Sequence, residues 1–270
     1  MLAVERRLVL AELLEQNPVL TVEDLARRFH VSTQTVRRDF QYLEERGLVT
    51  RTYGGAVART DDRLSLERAF LTRETERSAQ KEAIAQVALT LVEPGSTVVL
   101  DASTTVLRFA RALPADIELM AIVNALPVAM ELSRRPNVAV TGLGGALRHT
   151  SLSFTGPIAE ATLRRLFADT AFISARGLSL QRGLTEANSY EAALKETMVT
   201  NAARVIALID SSKLGRTALS FFAPVAAVHV LVTDDGADPQ TIERFRESGL
   251  DVRLAPVAGH PSANGDHGRA

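Results

Sequence analysis

The chain has 270 residues, with 31 basic and 32 acidic side chains, 46% hydrophobic residues and no cysteine. This balance of charge and apolar content excludes a disordered or fibrous protein and predicts a packed globule. The lack of cysteine excludes disulfides, thiolate metal sites and cysteine nucleophiles, and it fits a reducing compartment. We expect one large domain, or one large domain with a small one.

The sequence also gives expectations about location and cofactors. The segment from Met1 to Asn17 has no apolar stretch of the secretory type, and no apolar run approaches the ~18 residues that span a bilayer. We therefore expect a cytoplasmic protein that has no membrane partner. The five histidines are scattered, so we expect no metal site and no cofactor.

Residues 1–57 show the pattern of three short amphipathic helices followed by a hairpin. The first helix is expected from about Val4 to Gln16. Its apolar stripe is Val4, Leu8, Ala11 and Leu14. Thr21 is the expected N-cap of the second helix, which turns Leu25 and Phe29 inward.

Ser32 is the expected N-cap of a third helix, which ends at Gly47. Its apolar stripe is Val36, Phe40 and Leu43. Two β-prone runs follow, Leu48 to Thr52 and Ala56-Val57, joined at Gly54-Gly55. The small domain therefore has three helices and a hairpin.

The second and third helices, with a short turn between them, have the pattern of a helix-turn-helix, whose second helix enters the DNA major groove. At about 100° per residue, one polar face of the third helix carries Gln34, Arg37, Arg38 and Gln41, opposite the apolar stripe. Gln34 and its neighbour Thr33 lie near the helix start, where side chains reach base edges.

The hairpin has the pattern of a wing that contacts DNA phosphates through Arg51 and Tyr53. An arginine-rich helix face exposed to solvent would also produce the pattern of the third helix. Charge does not separate these alternatives, since residues 1–57 contain 8 arginines and 8 acidic residues. The candidate DNA-binding residues are Ser32, Thr33, Gln34, Thr35, Arg37, Arg38, Gln41, Arg51 and Tyr53.

After a charge-dense linker at 58–77, helical segments alternate with apolar strands. Helices are expected at 79–92, 104–112, 126–134, 157–167, 189–202 and 239–247, and strands at 97–100, 119–123, 138–141, 170–174, 205–209, 228–232 and 251–254. This alternation predicts an α/β domain, at 78–256, with a mainly parallel sheet and helices on both faces. Residues 257–270 are expected to be a disordered tail.

Polar clusters follow several of these strands, at the edge where open α/β sheets bind ligands. The first is Asp101-Ala102-Ser103-Thr104-Thr105, where hydroxyls and free N–H groups at a helix start predict a phosphate site. The alternative is that Ser103 or Thr104 only caps the helix.

The other clusters have ordinary explanations as well. A turn would account for Asn124 or for Gly144-Gly145, and a surface ion pair would account for Glu191 and Lys195. Asp210 and Lys213 follow another strand. The candidate effector-binding residues are Asp101, Ser103, Thr104, Thr105, Asn124, Gly144, Gly145, Glu191, Lys195, Asp210 and Lys213.

The segment Ser32-Thr33-Gln34-Thr35-Val36-Arg37-Arg38-Asp39-Phe40, followed by Tyr53-Gly54-Gly55-Ala56, resembles the winged helix-turn-helix of the DeoR family of bacterial transcriptional regulators. Asp101–Thr105, Glu191–Lys195 and Asp210–Gly215 resemble the sensor domain of that family. The resemblance covers about residues 4–255. It implies a sensor fold similar to ribose-5-phosphate isomerase and a phosphorylated sugar as effector.

The leading hypothesis is a DNA-binding repressor of a carbohydrate-metabolism operon, controlled by a sugar phosphate. It is not expected to be an enzyme, and it is expected to be a homo-oligomer, since one winged unit covers one half-site of an operator. The alternatives are a sugar-phosphate isomerase with a fused DNA-binding domain, and an architectural module. An architectural module leaves the polar clusters at the strand ends unexplained.

Overall fold

The computed structural model describes Arg6, Leu10, residues 20–45, 49–52 and 55–58, Phe70 and residues 72–257. For Leu20, residues 43–45 and the strands at 49–52 and 55–58, it gives the backbone alone. The chain divides into two compact units, Met1–Ser65 and Leu66–Ala270. No helix within the described ranges is long and apolar enough to cross a membrane.

Within the described residues, the first unit contains two helices and a small sheet, and Arg6 and Leu10 are helical as well. Its elements are β1 (Leu20–Thr21), α1 (Val22–Phe29), α2 (Thr33–Glu45), β2 (Val49–Thr52) and β3 (Gly55–Ala58). Strand β3 pairs antiparallel with both β1 and β2. The predicted second and third helices and the hairpin are confirmed, whereas β1 was not predicted.

Side-chain caps define where the two helices begin. The Thr21 hydroxyl accepts a hydrogen bond from the Asp24 N–H at 3.2 Å and caps α1, as expected. The Ser32 hydroxyl accepts from the Thr35 N–H at 3.2 Å and caps α2. Between them, His30 has a φ of 53° in the left-handed region and ends α1.

The core of the first unit joins the helices through buried apolar side chains. Leu25, Phe29, Val36 and Phe40 are buried, as their spacing predicted. Leu10 is also buried in this core, although it lies outside the predicted stripe of the first helix. The members of that stripe, the Leu43 side chain and the expected helix end at Gly47 lie outside the described residues.

The second unit alternates helices with strands. Its helices are α3 (Ser78–Leu89), α4 (Thr104–Ala112), α5 (Leu126–Leu132), α6 (Pro157–Leu163), α7 (Ser189–Thr200) and α8 (Pro239–Glu247). Its strands are β4 (Thr97–Leu100), β5 (Leu119–Val123), β6 (Val138–Gly142), β7 (Ala146–Arg148), β8 (Ser153–Thr155), β9 (Ala168–Ile173), β10 (Gly177–Ser179), β11 (Gly183–Glu186), β12 (Ala202–Leu208), β13 (Ser220–Ala223), β14 (Val230–Asp234) and β15 (Asp251–Ala255).

Seven strands form one parallel sheet in the order β15-β14-β12-β9-β4-β5-β6. From β4 the chain proceeds through β5 to β6, and it then returns to β9 on the other side of β4. The direction of winding therefore reverses between β4 and β9. Ligands of open α/β sheets bind beyond the carboxyl ends of the strands at such a reversal.

Alternate side chains of each central strand enter different helical layers. Val98 and Leu100 of β4 pack into one core, together with residues of α3, α4 and α5. Val99 packs into the other core, with residues of α6, α7 and α8. The predicted parallel sheet with helices on both faces is thereby confirmed.

Two small antiparallel sheets were not predicted. Strands β7 and β8 form a hairpin, and β11 lies between β10 and β13 in a second sheet. These strands have three or four residues each, which is too short to show a clear period of two. The 3₁₀ turn Val225–Ala227 precedes β14, so this strand begins later than expected.

Parts of the expected linker and tail have definite structure. Phe70 is buried in a core of the second unit, and residues 72–75 are helical. Val257, expected at the start of the disordered tail, is buried, and its N–H donates to the Asp235 carboxylate at 3.2 Å. The tail from 258 onward lies outside the described residues.

Candidate functional site

Helix α2 presents the polar face that the sequence predicts. Val36 and Phe40 point into the core, while Gln34, Arg37 and Arg38 are exposed. The same helix also exposes Thr33 and Gln41, and Thr35 is half-buried. The Ser32 hydroxyl is 2.9 Å from the Thr35 hydroxyl, in addition to its capping bond. The Arg51 side chain and Tyr53 lie outside the described residues.

A buried ion pair fixes α2 from its inner side, and the sequence did not predict it. Nε of Arg6 donates to the Asp39 carboxylate over 2.6 Å, and both residues are buried. Asp39 lies on α2 between the exposed arginines and the buried Phe40. The pair therefore ties the predicted recognition helix to the helical segment that contains Arg6.

The second unit contains a polar cavity of about 240 Å³. Parts of its wall come from the segments that follow β4 and β9. These are the two neighbouring strands between which the direction of winding reverses. Among the described residues, seven cationic and four anionic side chains line this pocket. Of the predicted residues, it brings together Ser103, Thr104, Glu191, Lys195, Asp210 and Lys213.

Asp101 was expected to contact the effector, but the structure places it beneath the pocket. It is fully buried. Its carboxylate accepts from the Ser103 N–H at 2.9 Å and the Ser174 N–H at 2.7 Å, and it lies 3.0 Å from the Lys195 ammonium. Asp101 therefore shapes the loop from beneath and does not line the pocket.

The other residues of the first polar cluster, Ser103, Thr104 and Thr105, differ in their contacts. The Ser103 hydroxyl accepts from the Val106 N–H at 3.1 Å, so the capping alternative holds for this residue. The Thr104 hydroxyl donates to the Arg73 carbonyl at 3.2 Å. Both residues also line the pocket, whereas Thr105 is fully buried and does not.

Asn124, Gly144 and Gly145 do not line the pocket. The Asn124 side-chain amide donates to the Phe154 carbonyl at 3.2 Å and holds β8. Gly145 has a φ of 131°, and a Cβ there would lie 2.7 Å from the Thr155 carbonyl oxygen. The backbone of the β7–β8 region therefore requires a glycine at this position.

Lys195 is the buried centre of the site. Its ammonium donates to the Ser174 carbonyl at 2.7 Å and to Glu186 at 2.8 Å, besides its pairing with Asp101. Burial alone would lower the pKa of Lys195, but the charges of Asp101, Glu186 and Glu191 outweigh burial and raise it above its ordinary value. The alternative of a surface ion pair between Lys195 and Glu191 does not hold, because both residues are buried.

Glu186 and Glu191 are the two carboxylates near Lys195 that line the pocket. Burial would raise the pKa of Glu186, but the charge of Lys195 and its hydrogen bond lower it below the ordinary value. Glu191 accepts hydrogen bonds from the hydroxyls of Ser151 at 2.5 Å and Ser153 at 2.9 Å. Arg148 lies 3.7 Å from the Glu191 carboxylate.

A second group of charges surrounds Asp210. The Lys213 ammonium lies 3.1 Å from the Asp210 carboxylate, Arg77 lies 3.9 Å from it, and the Ser212 hydroxyl donates to it. Burial would raise the pKa of Asp210, but these contacts, led by Lys213, lower it. The predicted meeting of a carboxylate and an ammonium at this strand end is confirmed.

Sequence reasoning missed Arg73, Lys81, Arg148, Arg176 and Glu186 as pocket residues. The rarity of lysine in this chain was a signal for Lys81. Arg73 and Arg176 lie outside any recognisable motif. Only the folded chain brings them to the pocket.

Arg73 and Lys81 connect the segment before α3 to the pocket. The Arg73 guanidinium donates to the Thr150 carbonyl at 2.5 Å. The Lys81 ammonium donates to the carbonyls of Arg73 and Glu76. Burial, followed by the nearby charge of Lys213, lowers the pKa of Lys81 to about 8. Burial and then Arg176 also lower the pKa of Arg73.

A helix-turn-helix unit followed by an α/β unit with a charged pocket defines the class of DNA-binding transcriptional regulators with a sensor domain. Residues 6–62 match the DeoR-like helix-turn-helix domain, and residues 76–235 match the DeoR C terminal sensor domain. The chain belongs to the DeoR family of transcriptional regulators.

Relatives along nearly the whole chain have regulatory names. The chain is 34% identical to the transcriptional regulator YulB of Bacillus subtilis, over 96% of this chain and 99% of that protein. It is 32% identical to a putative aga operon transcriptional repressor of Escherichia coli O157:H7, over 93% of each chain. It is 35% identical to the transcriptional repressor AccR of Agrobacterium fabrum, over 86% of this chain and 90% of that protein.

Similar solved structures include ribose 5-phosphate isomerase A from Methanocaldococcus jannaschii, with 18% identity and a TM-score of 0.37, over 50% of this chain and 53% of that one. The relatives at higher identity are named as regulators and repressors rather than as enzymes. This protein is therefore a DNA-binding transcriptional regulator, and the isomerase alternative is not favoured.

Replacing Lys195 tests its role as the buried centre. Lys195→Met should lower the free energy of unfolding of the second unit by about 3–5 kcal/mol at pH 7, because Asp101 and Glu186 lose their buried counter-charge. The folded-state pKa of Glu186 lies below its unfolded value, so the stability it contributes is present at neutral pH and is lost on acidification. The deficit of the variant should therefore shrink as the pH falls below about 5.

Urea denaturation at pH 7 and below pH 5 measures this difference. Arg253→Met is the control, because Arg253 and Asp251 form an exposed pair at 3.3 Å. Its cost should stay below about 1 kcal/mol. An equal loss for both variants at pH 7 would contradict the central role of Lys195.

Proposed function

We propose that this regulator is a repressor of a carbohydrate-metabolism operon, and that a phosphorylated sugar in the effector pocket controls its affinity for the operator. The observation that carries this proposal is the excess of cationic over anionic side chains in a pocket where the sheet winding reverses. Such a site favours a small anionic ligand with hydroxyl groups.

The phosphate is proposed to bind at the start of α4, with Lys213 as its cationic partner. The first N–H groups of a helix have no partner within the helix and favour an anion. Lys213 is better placed than Lys195, because three protein acceptors surround the Lys195 ammonium. The side chain of Lys213 keeps 21% of its surface exposed. Glu191 and Asp210 supply carboxylates for sugar hydroxyls.

The DNA contacts are proposed to come from α2 and the wing. Arg37 and Arg38 lie on the exposed face of α2 and would bind phosphates, while Gln34 would read a base edge. Arg51 and Tyr53 stay predictions as wing contacts. Control by an effector requires that the effector bind the free and the operator-bound protein with different affinities.

Substitutions on α2 test whether this helix contacts DNA. The binding target is an operator selected from a random DNA pool. Replacing Arg37 and Arg38 with Ala should weaken binding and reduce the salt dependence by about one phosphate for each arginine. Gln34→Ala should instead relax the base preference, at a cost of about 1–3 kcal/mol.

Fluorescence anisotropy at several salt concentrations measures these effects. Arg244→Ala serves as the control, because it removes an exposed arginine from α8 in the other unit. An unchanged salt slope in the Arg37/Arg38 variant would contradict the assignment of α2.

The oligomeric state is a separate prediction. Specific operator binding usually combines two half-sites related by symmetry, so we expect a homo-oligomer. Light scattering with and without the operator measures the mass. A monomer under both conditions would show that this expectation is wrong.

Lys213→Ala tests the effector proposal. In a thermal-shift screen of phosphorylated sugars, a ligand of the folded state should raise the melting temperature of the wild type by mass action. Lys213→Ala should lose most of this shift, because it lacks the cationic partner of the phosphate. Its operator affinity without effector should stay nearly unchanged, while the effect of the sugar on that affinity is lost.

Anisotropy titrations of the operator against sugar concentration measure this separation. Lys213→Arg keeps the positive charge and should keep part of the response. Normal sugar binding by Lys213→Ala would refute the assignment of Lys213, and loss of operator binding without sugar would refute the separate roles of the two units.

A further inference from the structure

The hydroxyl groups of the pocket differ in whether the protein itself provides them with a partner. Among the described residues, the hydroxyl-bearing residues that line the pocket are Ser103, Thr104, Ser151, Ser174 and Ser212. Four of these hydroxyls bond to a backbone N–H, a backbone carbonyl or a carboxylate. The hydroxyl of Ser174 has no hydrogen-bond partner within the described part of the chain.

We propose that the Ser174 hydroxyl binds a hydroxyl group of the sugar, and that Ser174 thereby determines specificity in the effector pocket. The ligand class that it selects is a phosphorylated sugar rather than free phosphate. This inference rests on the proposed function, because it assigns a residue to the sugar part of the same effector. Ser174 was not among the residues that the sequence predicted.

Ser174 lies where a ligand of this fold is expected. It directly follows the carboxyl end of β9, which is one of the two strands between which the winding reverses. The Asp101 carboxylate accepts from the N–H groups of both Ser103 and Ser174, at 2.9 and 2.7 Å. These two N–H groups are therefore separated by no more than one carboxylate and two hydrogen bonds. A phosphorylated sugar with its phosphate at the start of α4 covers this span.

The backbone of Ser174 is held on both sides. Its N–H donates to Asp101 and its carbonyl accepts from the Lys195 ammonium, each at 2.7 Å. Only 1% of the residue is exposed. Because these contacts fix the residue before a ligand binds, its hydroxyl loses little conformational freedom on binding.

The charges around Ser174 favour a neutral partner. Asp101 and Lys195, which contact its backbone, have opposite charges and pair with each other at 3.0 Å. Glu186, which accepts from the same ammonium at 2.8 Å, adds a carboxylate to the pocket wall. A phosphate would gain no net attraction from these three groups. A sugar hydroxyl is uncharged, and it can donate to a serine hydroxyl or accept from it.

A buried hydroxyl without a partner is a cost to the free protein, because its lost hydration is not replaced. A ligand hydroxyl that bonds to Ser174 removes this cost in the complex, whereas a ligand that lacks the matching hydroxyl leaves it in place. Sites of this kind discriminate strongly against ligands without the matching group. The Ser174 hydroxyl therefore contributes to specificity rather than to the stability of the free protein.

The test separates the sugar from the phosphate. Full-length wild type and Ser174→Ala are titrated calorimetrically with ribose 5-phosphate, glucose 6-phosphate, fructose 6-phosphate and inorganic phosphate, at constant ionic strength. For the sugar phosphate that binds the wild type most tightly, Ser174→Ala should raise the Kd about tenfold, which is the effect of one lost hydrogen bond. Its Kd for inorganic phosphate should change by less than about twofold.

Thr233→Val is the matched control. Thr233 is fully buried on β14, its hydroxyl also lacks a partner among the described residues, and it does not line the pocket. Each substitution removes one unpartnered hydroxyl, so neither should lower the melting temperature of the free protein. Thr233→Val should keep the wild-type Kd for all four ligands.

Four results would overturn the inference. If Ser174→Ala binds the sugar phosphate as the wild type does, the inference fails and the proposed function stands. If Ser174→Ala weakens sugar phosphate and inorganic phosphate equally, its hydroxyl does not act on the sugar. A lower melting temperature of Ser174→Ala without ligand would show that the hydroxyl supports the fold instead. If no sugar phosphate binds the wild type, the proposed function fails together with the inference.

Discussion

The ammonium of Lys195 is the contact on which the pocket depends. It extends from α7 and joins Asp101 after β4, Ser174 after β9 and Glu186 at the end of β11. A buried charge is costly unless its partners compensate for the lost hydration, and these carboxylates do so. The same pairing positions the Asp101–Thr105 loop, because the other oxygen of Asp101 accepts from the Ser103 N–H.

This arrangement separates the structural charges from those that face the cavity. Asp101 and Lys195 are occupied with each other and with the backbone, so neither is free to act as an acid or a base. A general base must instead reach the proton that it removes. The cations that remain around the cavity suit binding rather than turnover, which agrees with the regulatory names of the relatives.

The wall of the pocket includes a segment that was expected to be a linker. Arg73 and Arg77 come from this segment, and Lys81 holds it through the carbonyls of Arg73 and Glu76. Besides the buried Phe70, the described part of this segment contributes cations and carbonyl acceptors to the pocket. Periodicity detects only buried apolar faces, so this role was not visible in the sequence.

The sequence by itself determined the local structure and the family. The caps Thr21 and Ser32, the polar face of α2 and the apolar strands all follow from neighbouring residues, which act within one turn or one strand. Only the tertiary structure decided that Asp101 lies beneath the pocket and that Glu191 and Lys195 are buried. It also decided that Arg73 and Arg176 line the same pocket. These outcomes depend on strand order, which brings residues that are distant in the chain to one edge of the sheet.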